Sequence, residues 1–552
     1  MRASRFTGLV FGGAVLALSA SAASAITIEW KGAPEADAVL GENVVVDPVA
    51  VAMRRLIDEG MKQLGFEDKR DLAGIVAFYK ERDFRPVWTA EGRLSPAARK
   101  LIFRLARADM DGLDPAAFQT SGLALGAHGP ASPEDLATAE LELDRAILRF
   151  AREAWGGRLD PTRISSNITI TPGHPDPIAA LADVAGAADP AASLDAFNPP
   201  HEGFKALKAK LAELRMSRGR PEVIRIPEGK ALKLGLRDKR VALLRARFGI
   251  EPGEDPELFD EAVDTAVKAF QDKSGLTADG IIGRGTYAVL NADEGDRIGD
   301  VIANMERWRW VPRDLGRRYV AVNVPDFELK FISDGVIVHS TRVIVGQTDK
   351  QTPIFSDEME HIIVNPYWNV PSSIATKEML PKIQNDPEYF ERRNYEIVQQ
   401  VGKKTMVVDP ASIDWSAVDP RNLPFRFRQP PGGGNALGHI KFMFPNKHSV
   451  YLHDTSSRGL FKRDYRALSH GCVRVDDPMA FADVVLAEEP DWDAARVKKM
   501  IGGAERNIPL SRHIPVHITY FTAYVDETGK LILKNDLYGH NARVKKALGL
   551  KS

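Results

Sequence analysis

The first third of the chain has the hydrophobic spacing of amphipathic helices. Leu143, Ile147, Phe150 and Ala154 recur at intervals of three and four residues, which places them along one side of a helix. Two earlier helices are predicted from the apolar positions Val51, Leu56 and Met61 and from the segment Leu72 to Tyr79. We therefore expect a helical region over residues 47–230, and we assign it no catalytic role.

Within this region, the stretch from about residue 160 to residue 200 has a different composition. Proline, glycine, alanine and aspartate accumulate there. These residues interrupt regular structure and favour turns. We therefore predict irregular structure or a linker over this stretch.

A second helical unit is predicted over residues 233–292. One helical face is formed by Phe259, Val263, Val267 and Phe270. That helix should end at Lys273-Ser274-Gly275, because glycine is favoured just after a helix. A turn at Asp279-Gly280 and a further helix capped by Thr286 complete the pattern. The unit is predicted to be a small helical module.

From residue 302 to residue 545 the pattern changes from helices to strands. After a helical stretch that ends at Met305–Trp310, apolar and polar residues alternate and β-branched residues become frequent. Strands are predicted for Tyr319–Val324, Phe327–Ile332, Val336–Val345, His361–Val364, Gly438–Phe444, Ser449–His453, Pro515–Val525 and Leu531–Leu533. The sheet is interrupted by residues 373–428, where prolines are frequent and Met379–Ile383 has a helical pattern. This segment is too long for a plain loop, so we predict an inserted subdomain or a lid.

The length of the chain also indicates several domains. A single hydrophobic core rarely extends beyond roughly 250–300 residues, and this chain has 552. We therefore predict a multi-domain α+β fold of about three domains. It consists of a helical N-terminal scaffold, a small helical module and a mostly-β C-terminal domain that carries the insertion.

The N-terminus has the pattern of a secretory signal peptide over residues 1–25. Two arginines precede an apolar run from Leu9 to Ala20, and Ala23-Ser24-Ala25 is the small-residue motif at which such signals are cleaved. The alternative is a retained membrane anchor, but a spanning helix needs about 20 apolar residues. Cleavage is therefore favoured, followed by a flexible lead over residues 26–46.

Export predicts a periplasmic protein. No later stretch approaches spanning length, so no transmembrane span is expected after cleavage. Loss of the two signal arginines changes the balance of 74 basic and 75 acidic residues to 72 and 75. This near-neutral charge gives no indication of a nucleic-acid partner.

Cys472 is the only cysteine in the chain, so it cannot form an intramolecular disulfide. It stands in the string Ser469-His470-Gly471-Cys472-Val473-Arg474, nineteen residues after His453. A single thiol that an exported protein keeps between two histidines and an arginine is best interpreted as a nucleophile.

Strand alternation predicts that the reactive side chains share one side of the sheet. In the segment Ser449–His453, Tyr451 and His453 should face away from the core and toward a cleft. The same alternation directs Cys472 and Arg474 to one side of the segment that follows the cysteine. Nucleophile, histidine and cation are thus expected to meet in a cleft.

Each of these residue types has a chemical task. His453 is the candidate base that takes the thiol proton and later protonates the leaving amine. Backbone N–H groups around Gly471 and Cys472 are candidates to hold the oxyanion of a tetrahedral intermediate. Arg474 can bind a substrate carboxylate through two parallel hydrogen bonds. The pattern predicts an acyl-transfer site for carboxylate-bearing peptides.

The same residues allow two other interpretations. Cys472 could be a small buried hydrophobic residue and His453 a half-buried histidine whose hydrogen bonds are satisfied. His453, His470 and Cys472 are also zinc-ligand types, but paired spacings are missing and no fourth ligand is obvious. Residue chemistry alone favours catalysis over a structural or a metal-binding role without excluding either.

The order of His453, fifteen residues and then Ser469-His470-Gly471-Cys472 resembles the signature of the L,D-transpeptidases of the YkuD fold, in which the first histidine and the cysteine are catalytic. Further motifs resemble the large YcbB-type branch of that family: Asn365–Pro371, Asn435–Gly438, Tyr451–Thr455, Leu460–Asp464 and Arg466–Ser469. One departure is His470, where the YcbB-type pattern has serine and many other members of the fold have histidine. Its role, as a second base or as a backbone orienter, is left open.

The resemblance implies a domain order. The YcbB-type branch carries a helical scaffold domain, a peptidoglycan-binding-like module and a catalytic domain with a capping insertion. The unit over residues 233–292 resembles the small three-helix peptidoglycan-binding module. Such modules also arise for packing reasons, so both wall binding and a spacer role are open for residues 233–292.

The resemblance also implies a reaction. The enzyme would attack a donor tetrapeptide stem, release its terminal D-alanine and hold the acyl group as a thioester on Cys472. An amine of a second stem would then form a 3-to-3 crosslink between peptidoglycan strands. Tyr451, Trp368, Arg474 and Ser469 would contact the donor substrate, the insertion would limit water entry, and carbapenems would acylate the same thiol. No cofactor and no metal is implied.

Other outcomes are compatible with the same sequence. The acyl-enzyme could serve hydrolysis, D-amino-acid exchange or attachment of a protein to the wall. An NlpC/P60-type endopeptidase is disfavoured, because its cysteine precedes its histidines in the chain, whereas His453 comes before Cys472 here. A non-enzymatic wall-binding scaffold is the remaining hypothesis.

Overall fold

The structure is a computed structural model, and it describes residues 47–59, 69–120, 125, 130–216, 224–274, 276–291, 294–386, 388–402 and 404–550. The predicted signal peptide, the lead over residues 26–46 and the position Met61 lie outside these residues. Among the residues that are described, no helix is both long enough and apolar enough to cross a membrane.

The regular structure of the described residues between 47 and 216 is almost all helical, as predicted. Their elements are α1 Pro48–Asp58, α2 Lys69–Lys80, a short hairpin of β1 Thr89–Ala90 and β2 Arg93–Leu94, α3 Pro96–Leu105, α4 Pro133–Gly156, α5 Pro161–Ile164, α6 Pro177–Gly186, α7 Pro190–Ser193 and α8 Glu202–Met216. The central helix α4 begins after Ser132, whose hydroxyl accepts a hydrogen bond from the Asp135 N–H at 3.1 Å. The predicted stripe of Leu143, Ile147 and Phe150 on α4 is fully buried, at 0% exposure.

The prediction of irregular structure over residues 160–200 is wrong. This stretch contains α5, α6 and α7, each capped by an aspartate that is followed by proline. Proline fits the first turn of a helix because the N–H it lacks has no partner there, so these prolines begin helices instead of breaking them. Leu181 and Val184 of α6 are buried in the same core as α4.

The small module consists of α9 Arg240–Phe248, α10 Glu261–Lys273 and α11 Arg284–Asn291. Asp260 caps α10 through the Val263 N–H at 3.1 Å, and Gly280 takes the left-handed backbone that the predicted turn requires, with φ +75°. The predicted cap at Thr286 is wrong, because α11 begins two residues earlier and the Thr286 hydroxyl donates to the Ile281 carbonyl at 3.2 Å. Gly275 is not described.

The C-terminal part is mostly β, as predicted. Helix α12 Glu294–Trp310 leads into β3 Arg318–Asn323, β4 Glu328–Ser333, β5 Val336–Gly346, β6 Phe355–Val364, β11 Ile440–Met443, β12 Leu452–His453, β13 Ala467–Ser469, β14 Val473–Val475, α16 Pro478–Leu486, α17 Ala494–Met500, β15 Arg506–Thr519, β16 Ala523–Val525, β17 Leu531–Leu533 and α18 His540–Ala547. The large sheet has the strand order β13-β5-β14-β12-β11-β6-β15-β3-β4, and β5 also pairs with β4. The sheet therefore closes on itself, with β12 and β14 side by side.

The strands near the C-terminus have different bounds in the structure from those predicted. Residues Pro515–Val525 were expected as one strand, but β15 ends at Thr519 and β16 pairs only with β17 in a separate hairpin. Conversely, β15 begins earlier than predicted, at Arg506, and follows β6 along most of its length. The hydrophobic pattern located these strands but not their ends.

Helix α12 joins the helical region to the closed sheet. A carboxylate oxygen of Glu306 accepts hydrogen bonds from the Arg158 and Leu159 N–H groups at 2.7 and 2.9 Å. Arg309 on the same helix donates to the Asp111 carbonyl at 2.5 Å. Both α12 side chains are buried, so the two regions are held together by polar contacts that exclude water.

The interruption in the sheet is a separate small subdomain. It contains β7 Trp368–Asn369, α13 Ser372–Ile374, a π-helical turn Ala375–Met379, α14 Leu380–Asn385, α15 Tyr389–Arg392, β8 Glu396–Val401, β9 Lys404–Val408 and β10 Arg426–Gln429. Its strands form their own sheet in the order β7-β10-β8-β9, and its own core is centred on Phe390, Trp415 and Phe427. We call this segment, residues 368–429, the insertion.

Candidate active site

The parallel strands β12 and β14 bring the predicted site together. Their register pairs His453 with Arg474, and the Val473 N–H donates to the Tyr451 carbonyl at 3.2 Å. One residue back, this register sets Tyr451 beside Cys472. Two segments that are nineteen residues apart in the sequence thus become neighbours through sheet pairing.

The predicted alternation of buried and outward positions is present on both strands. Val450, Leu452, Val473 and Val475 are buried in the core of the closed sheet. Strand β12 contains only two residues and is therefore shorter than predicted. Ser449, the first residue of the predicted strand, has a left-handed backbone with φ +54° and does not belong to it. The polar side chains therefore lie opposite a fixed apolar face.

Cys472 is half-buried, and its thiol is hydrogen-bonded on one side. The Sγ–H donates to the Ser449 carbonyl at 3.8 Å, and the Tyr451 hydroxyl also contacts the sulfur. Burial raises the pKa of the Cys472 thiol to about 11, against the opposing effects of the Tyr451 hydrogen bonds and of the Arg474 and Lys441 charges. The resting sulfur is therefore a neutral thiol.

The His453 ring is held in one tautomer. Its Nδ1–H donates to the Asp454 carbonyl, since a carbonyl can only accept, and this leaves the lone pair on Nε2. Burial, together with the Arg474 charge, lowers the pKa of His453 to about 3. The imidazole is therefore neutral and able to accept a proton. Within the described chain no hydrogen bond joins His453 to Cys472, and the His453 ring packs edgewise on Tyr451 at 5.5 Å.

The side chain of Asp454 anchors the strand end that carries the histidine. Its carboxylate accepts hydrogen bonds from the His439 N–H at 2.8 Å, from the Thr455 N–H at 2.7 Å and from Arg458 at 2.8 Å. The side chain is buried, at 2% exposure. The sequence analysis did not assign a role to this residue, although a carboxylate directly after a candidate histidine was the available signal.

We expect Gly438→Ala to lower the free energy of unfolding by about 3 kcal/mol. Gly438 has φ +60°, and a Cβ there would lie 2.3 Å from the Asp454 carboxylate. Chemical denaturation measures this loss. Gly434→Ala is the matched control, because a Cβ at Gly434 meets nothing within 4 Å, and an equal effect of both changes would contradict the assignment.

The turn before Cys472 is closed by Ser469. Its hydroxyl donates to the Cys472 carbonyl at 2.5 Å and accepts from the Gly471 N–H at 3.2 Å. Gly471 has φ +117°, and its carbonyl accepts from the Thr352 hydroxyl at 2.8 Å. The Ser469 hydroxyl and the Gly471 N–H are therefore both engaged within the turn. The predicted substrate contact of Ser469 and the predicted oxyanion role of Gly471 stay predictions.

Two cations lie beside the thiol. Arg474 is half-buried, and among the described residues its buried Nε has no hydrogen-bond partner. Lys441 on β11 is opposite His453 in the antiparallel register. Burial lowers the pKa of both groups. The sequence analysis missed Lys441, although the alternation of buried Ile440 and Phe442 around it marks it as facing the same side as His453.

His470 and Trp368 are placed differently from the other candidates. The His470 Nε2 is 2.8 Å from Oε1 and 3.1 Å from Oε2 of Glu378, which belongs to the insertion. Trp368 lies on β7, opposite Gln429, and its ring packs near Tyr395 at 6.1 Å. Both residues are therefore associated with the insertion.

A metal site can be tested against the same geometry. Over the ranges that the structure describes, no group of three or more His, Cys, Asp and Glu side chains is arranged to hold a metal ion. In the trio considered from the sequence, His470 bonds to Glu378 and His453 bonds to a backbone carbonyl.

Comparison with known families agrees with this geometry. Residues 317–500 match the family YkuD, described as the L,D-transpeptidase catalytic domain. Residues 317–500 are therefore an L,D-transpeptidase catalytic domain of the YkuD family. Two further families match the chain, a scaffold domain over residues 73–211 and a peptidoglycan-binding domain over residues 242–290. The predicted combination of scaffold, module and YkuD catalytic domain is thereby confirmed.

One named relative also matches part of the chain. A protein of Haemophilus influenzae that carries the name L,D-transpeptidase is 37% identical over 242 residues, which cover 44% of this chain and 48% of the relative. The match thus spans about half the length of the relative.

Solved L,D-transpeptidase structures are more distant. One from Xylanimonas cellulosilytica is 16% identical with a TM-score of 0.17 and covers 53% of this chain and 98% of its own. Another from Stackebrandtia nassauensis is 12% identical with a TM-score of 0.18 and covers 54% of this chain and 97% of its own. Scores of this size carry no weight for the fold.

Proposed function

We propose that the protein is an L,D-transpeptidase that crosslinks peptidoglycan stem peptides through an acyl-thioester on Cys472. The observation that carries the proposal is the parallel pairing of β12 with β14. It sets a thiol, an oriented neutral imidazole and two cations on one side of the sheet.

The neutral pair supports acylation by general-base catalysis. When a donor peptide carbonyl approaches Cys472, the thiol transfers its proton to Nε2 of His453 as the S–C bond forms. The Tyr451 hydroxyl, which contacts the sulfur, stabilises the developing thiolate by a hydrogen bond. Charge therefore develops only in the transition state, where these groups stabilise it.

The remaining polar groups match the substrate's charges. The Cys472 N–H has no hydrogen-bond partner among the described residues, so we assign it as a donor to the oxyanion. The unpartnered Nε of Arg474 is a donor for a carboxylate of the stem peptide. Both groups were already candidates from the sequence, whereas the Gly471 N–H and the Ser469 hydroxyl are bonded to each other within the turn.

The acyl group is then passed to an amine. Collapse of the first tetrahedral intermediate breaks the C–N bond, and the His453 imidazolium protonates the leaving D-alanine amine. The amine of an acceptor stem attacks the thioester and loses its proton to His453, and the thiol is regenerated when the C–S bond breaks. The energy of one amide bond is carried into the next, so no cofactor is required.

The proposal also includes the periplasm as the location of the protein and peptidoglycan as the polymer that it contacts. The sequence pattern of residues 1–25 favours export to the periplasm, where peptidoglycan is assembled. The family match of residues 242–290 supports an additional contact with the peptidoglycan of the wall.

The direct test is incubation of the purified protein with a tetrapeptide muropeptide, followed by mass spectrometry. Crosslinked dimers with loss of one D-alanine support transpeptidation. Tripeptide products alone would assign the acyl-enzyme to hydrolysis, and exchanged C-terminal residues in the presence of D-amino acids would assign it to exchange. If the substrate is not consumed at all, the proposed function is wrong.

The pH dependence of acylation is a second test. His453, with a pKa near 3, is neutral above that pH, and Cys472, with a pKa near 11, is protonated below it. The reactive neutral pair is therefore present throughout the interval, and we expect the rate constant of carbapenem acylation to vary less than about twofold from pH 5 to pH 9. A fall of the rate below pH 6.5, as an ordinary imidazole would produce, would contradict the assignment.

A further inference from the structure

One carboxylate of the insertion reaches the turn that carries the nucleophile. Glu378 lies in the π-helical turn Ala375–Met379, a type of turn that is rare and often found at functional sites. Its two oxygens are 2.8 and 3.1 Å from Nε2 of His470. The carboxylate also forms an ion pair with Lys350.

Both partners of Glu378 belong to the structure that supports Cys472. His470 precedes Gly471 and Cys472 in the closed turn. Lys350 lies in the loop after β5, and this loop is bonded to the same turn twice. The Gln347 N–H donates to the Ser469 carbonyl at 3.0 Å, and the Thr352 hydroxyl donates to the Gly471 carbonyl at 2.8 Å.

The loop after β5 is itself held by hydrogen bonds of buried side chains. The Thr352 hydroxyl accepts from the Gly346 N–H at 2.9 Å, and the Tyr538 hydroxyl donates to the Gly346 carbonyl at 2.6 Å. Thr352 and Tyr538 are buried. Movement of the loop or of the turn would break several of these bonds together, so the site of attachment of Glu378 is rigid.

We propose that Glu378 is the positioning residue that couples the insertion to the catalytic turn, by holding His470 and Lys350 in one three-part bridge. The proposal deepens the proposed function and rests on it for its effect on the reaction. In this assignment His470 is not the base, because its Nε2 is turned to Glu378, and it acts through the backbone of the turn. This settles on one of the two roles left open for His470.

Charge and burial distinguish this bridge from an ordinary surface ion pair. The side chains of Glu378, His470 and Lys350 are each about one-third exposed, at 33%, 32% and 36%. Hydrogen bonds from Lys350 and then from His470 keep the pKa of Glu378 below its ordinary value, against the effect of burial, so the group stays a carboxylate. An isolated exposed pair contributes little, but one carboxylate shared by two segments is ordered by both.

The bridge has a defined consequence for catalysis. The turn carries the Cys472 N–H and the sulfur, whose placement relative to the substrate carbonyl sets the rate of acylation. Loss of the bridge should loosen the turn and the insertion together while leaving Arg474 and Tyr451 in place. The limiting rate of acylation should therefore fall more than the affinity for the donor.

The test compares Glu378→Gln with Glu391→Gln, which removes a charge from an exposed position of the same insertion. For Glu378→Gln we expect the limiting rate of carbapenem acylation to fall about tenfold, with half-saturation changed less than about twofold. Glu378→Asp keeps the carboxylate and should restore most of the rate. Equal rates in the Glu378→Gln and Glu391→Gln variants would overturn the proposal, and so would failure of Glu378→Asp to improve on Glu378→Gln.

A second readout does not depend on transpeptidase activity. Hydrogen–deuterium exchange of Glu378→Gln should increase in residues 375–385 and, at the same time, in residues 347–352 and 469–472, with an unchanged melting temperature. Increased exchange in both places supports the coupling even if no peptide is crosslinked. The absence of crosslinking would then count against the proposed function and not against the coupling. Increased exchange confined to the insertion, or a general increase with a lower melting temperature, would overturn the coupling.

Discussion

The Cys472→Ala variant is expected to form no crosslinked stem-peptide dimer and no carbapenem adduct. Cys472 is the only thiol of the chain, so no second sulfur can replace it. The expected loss of the acylation rate is about four orders of magnitude or more, because the remaining groups can only polarise the substrate. Intact-mass measurement after exposure to a carbapenem, together with muropeptide analysis, detects both losses.

The control for this variant is its affinity for isolated sacculi. The match to the peptidoglycan-binding domain lies over residues 242–290, away from Cys472 in the sequence. Sacculus binding should therefore be unchanged. If Cys472→Ala retains crosslinking activity, the enzymatic hypothesis is wrong, and the non-enzymatic wall-binding scaffold becomes the better explanation.

The His453→Ala variant is expected to lose about three orders of magnitude in acylation rate while remaining folded. The physical reason is the environment of the thiol. With a pKa near 11, Cys472 holds its proton at neutral pH and needs a neighbouring base. His453 is neutral and has Nε2 free, since Nδ1 is bonded to the Asp454 carbonyl.

The control for this variant is His513→Ala, which removes a half-exposed histidine on β15 whose ring bonds to Glu358. It should acylate at the rate of the unchanged protein, and circular dichroism checks that both variants fold. An unchanged rate in His453→Ala would remove the base role from His453. Since His470 is bonded to Glu378, the base would then have to be found among Tyr451 and Lys441.

The cysteine and the histidine that we propose as nucleophile and base could be selected from the sequence because both depend on local patterns. A lone cysteine after a glycine, and a histidine at an outward position of a short strand, can be recognised from spacing and alternation. The burial of Leu452 and Val473 confirmed that alternation. The same local patterns located α4, the small module and the insertion.

Several residues around the thiol could not be assigned in this way. Lys441, Thr352 and Glu378 lie 31, 120 and 94 positions before Cys472, and only strand pairing and the docking of the insertion bring them near it. The family resemblance implied a substrate contact for Ser469, but the closed turn places its hydroxyl inside. The direction of a hydroxyl in a turn is set by φ and ψ, and the left-handed Gly471 determines them here.

The sequence by itself determined which chemical groups are present and which positions are apolar. Those two facts are enough for a helical region, a mostly-β domain, an insertion and a cysteine–histidine site. The tertiary structure alone decided the protonation states and the partners of these groups. A pKa depends on how much water and which charges surround a group, and a hydrogen bond depends on a distance of about 3 Å, so both are properties of packing between distant segments.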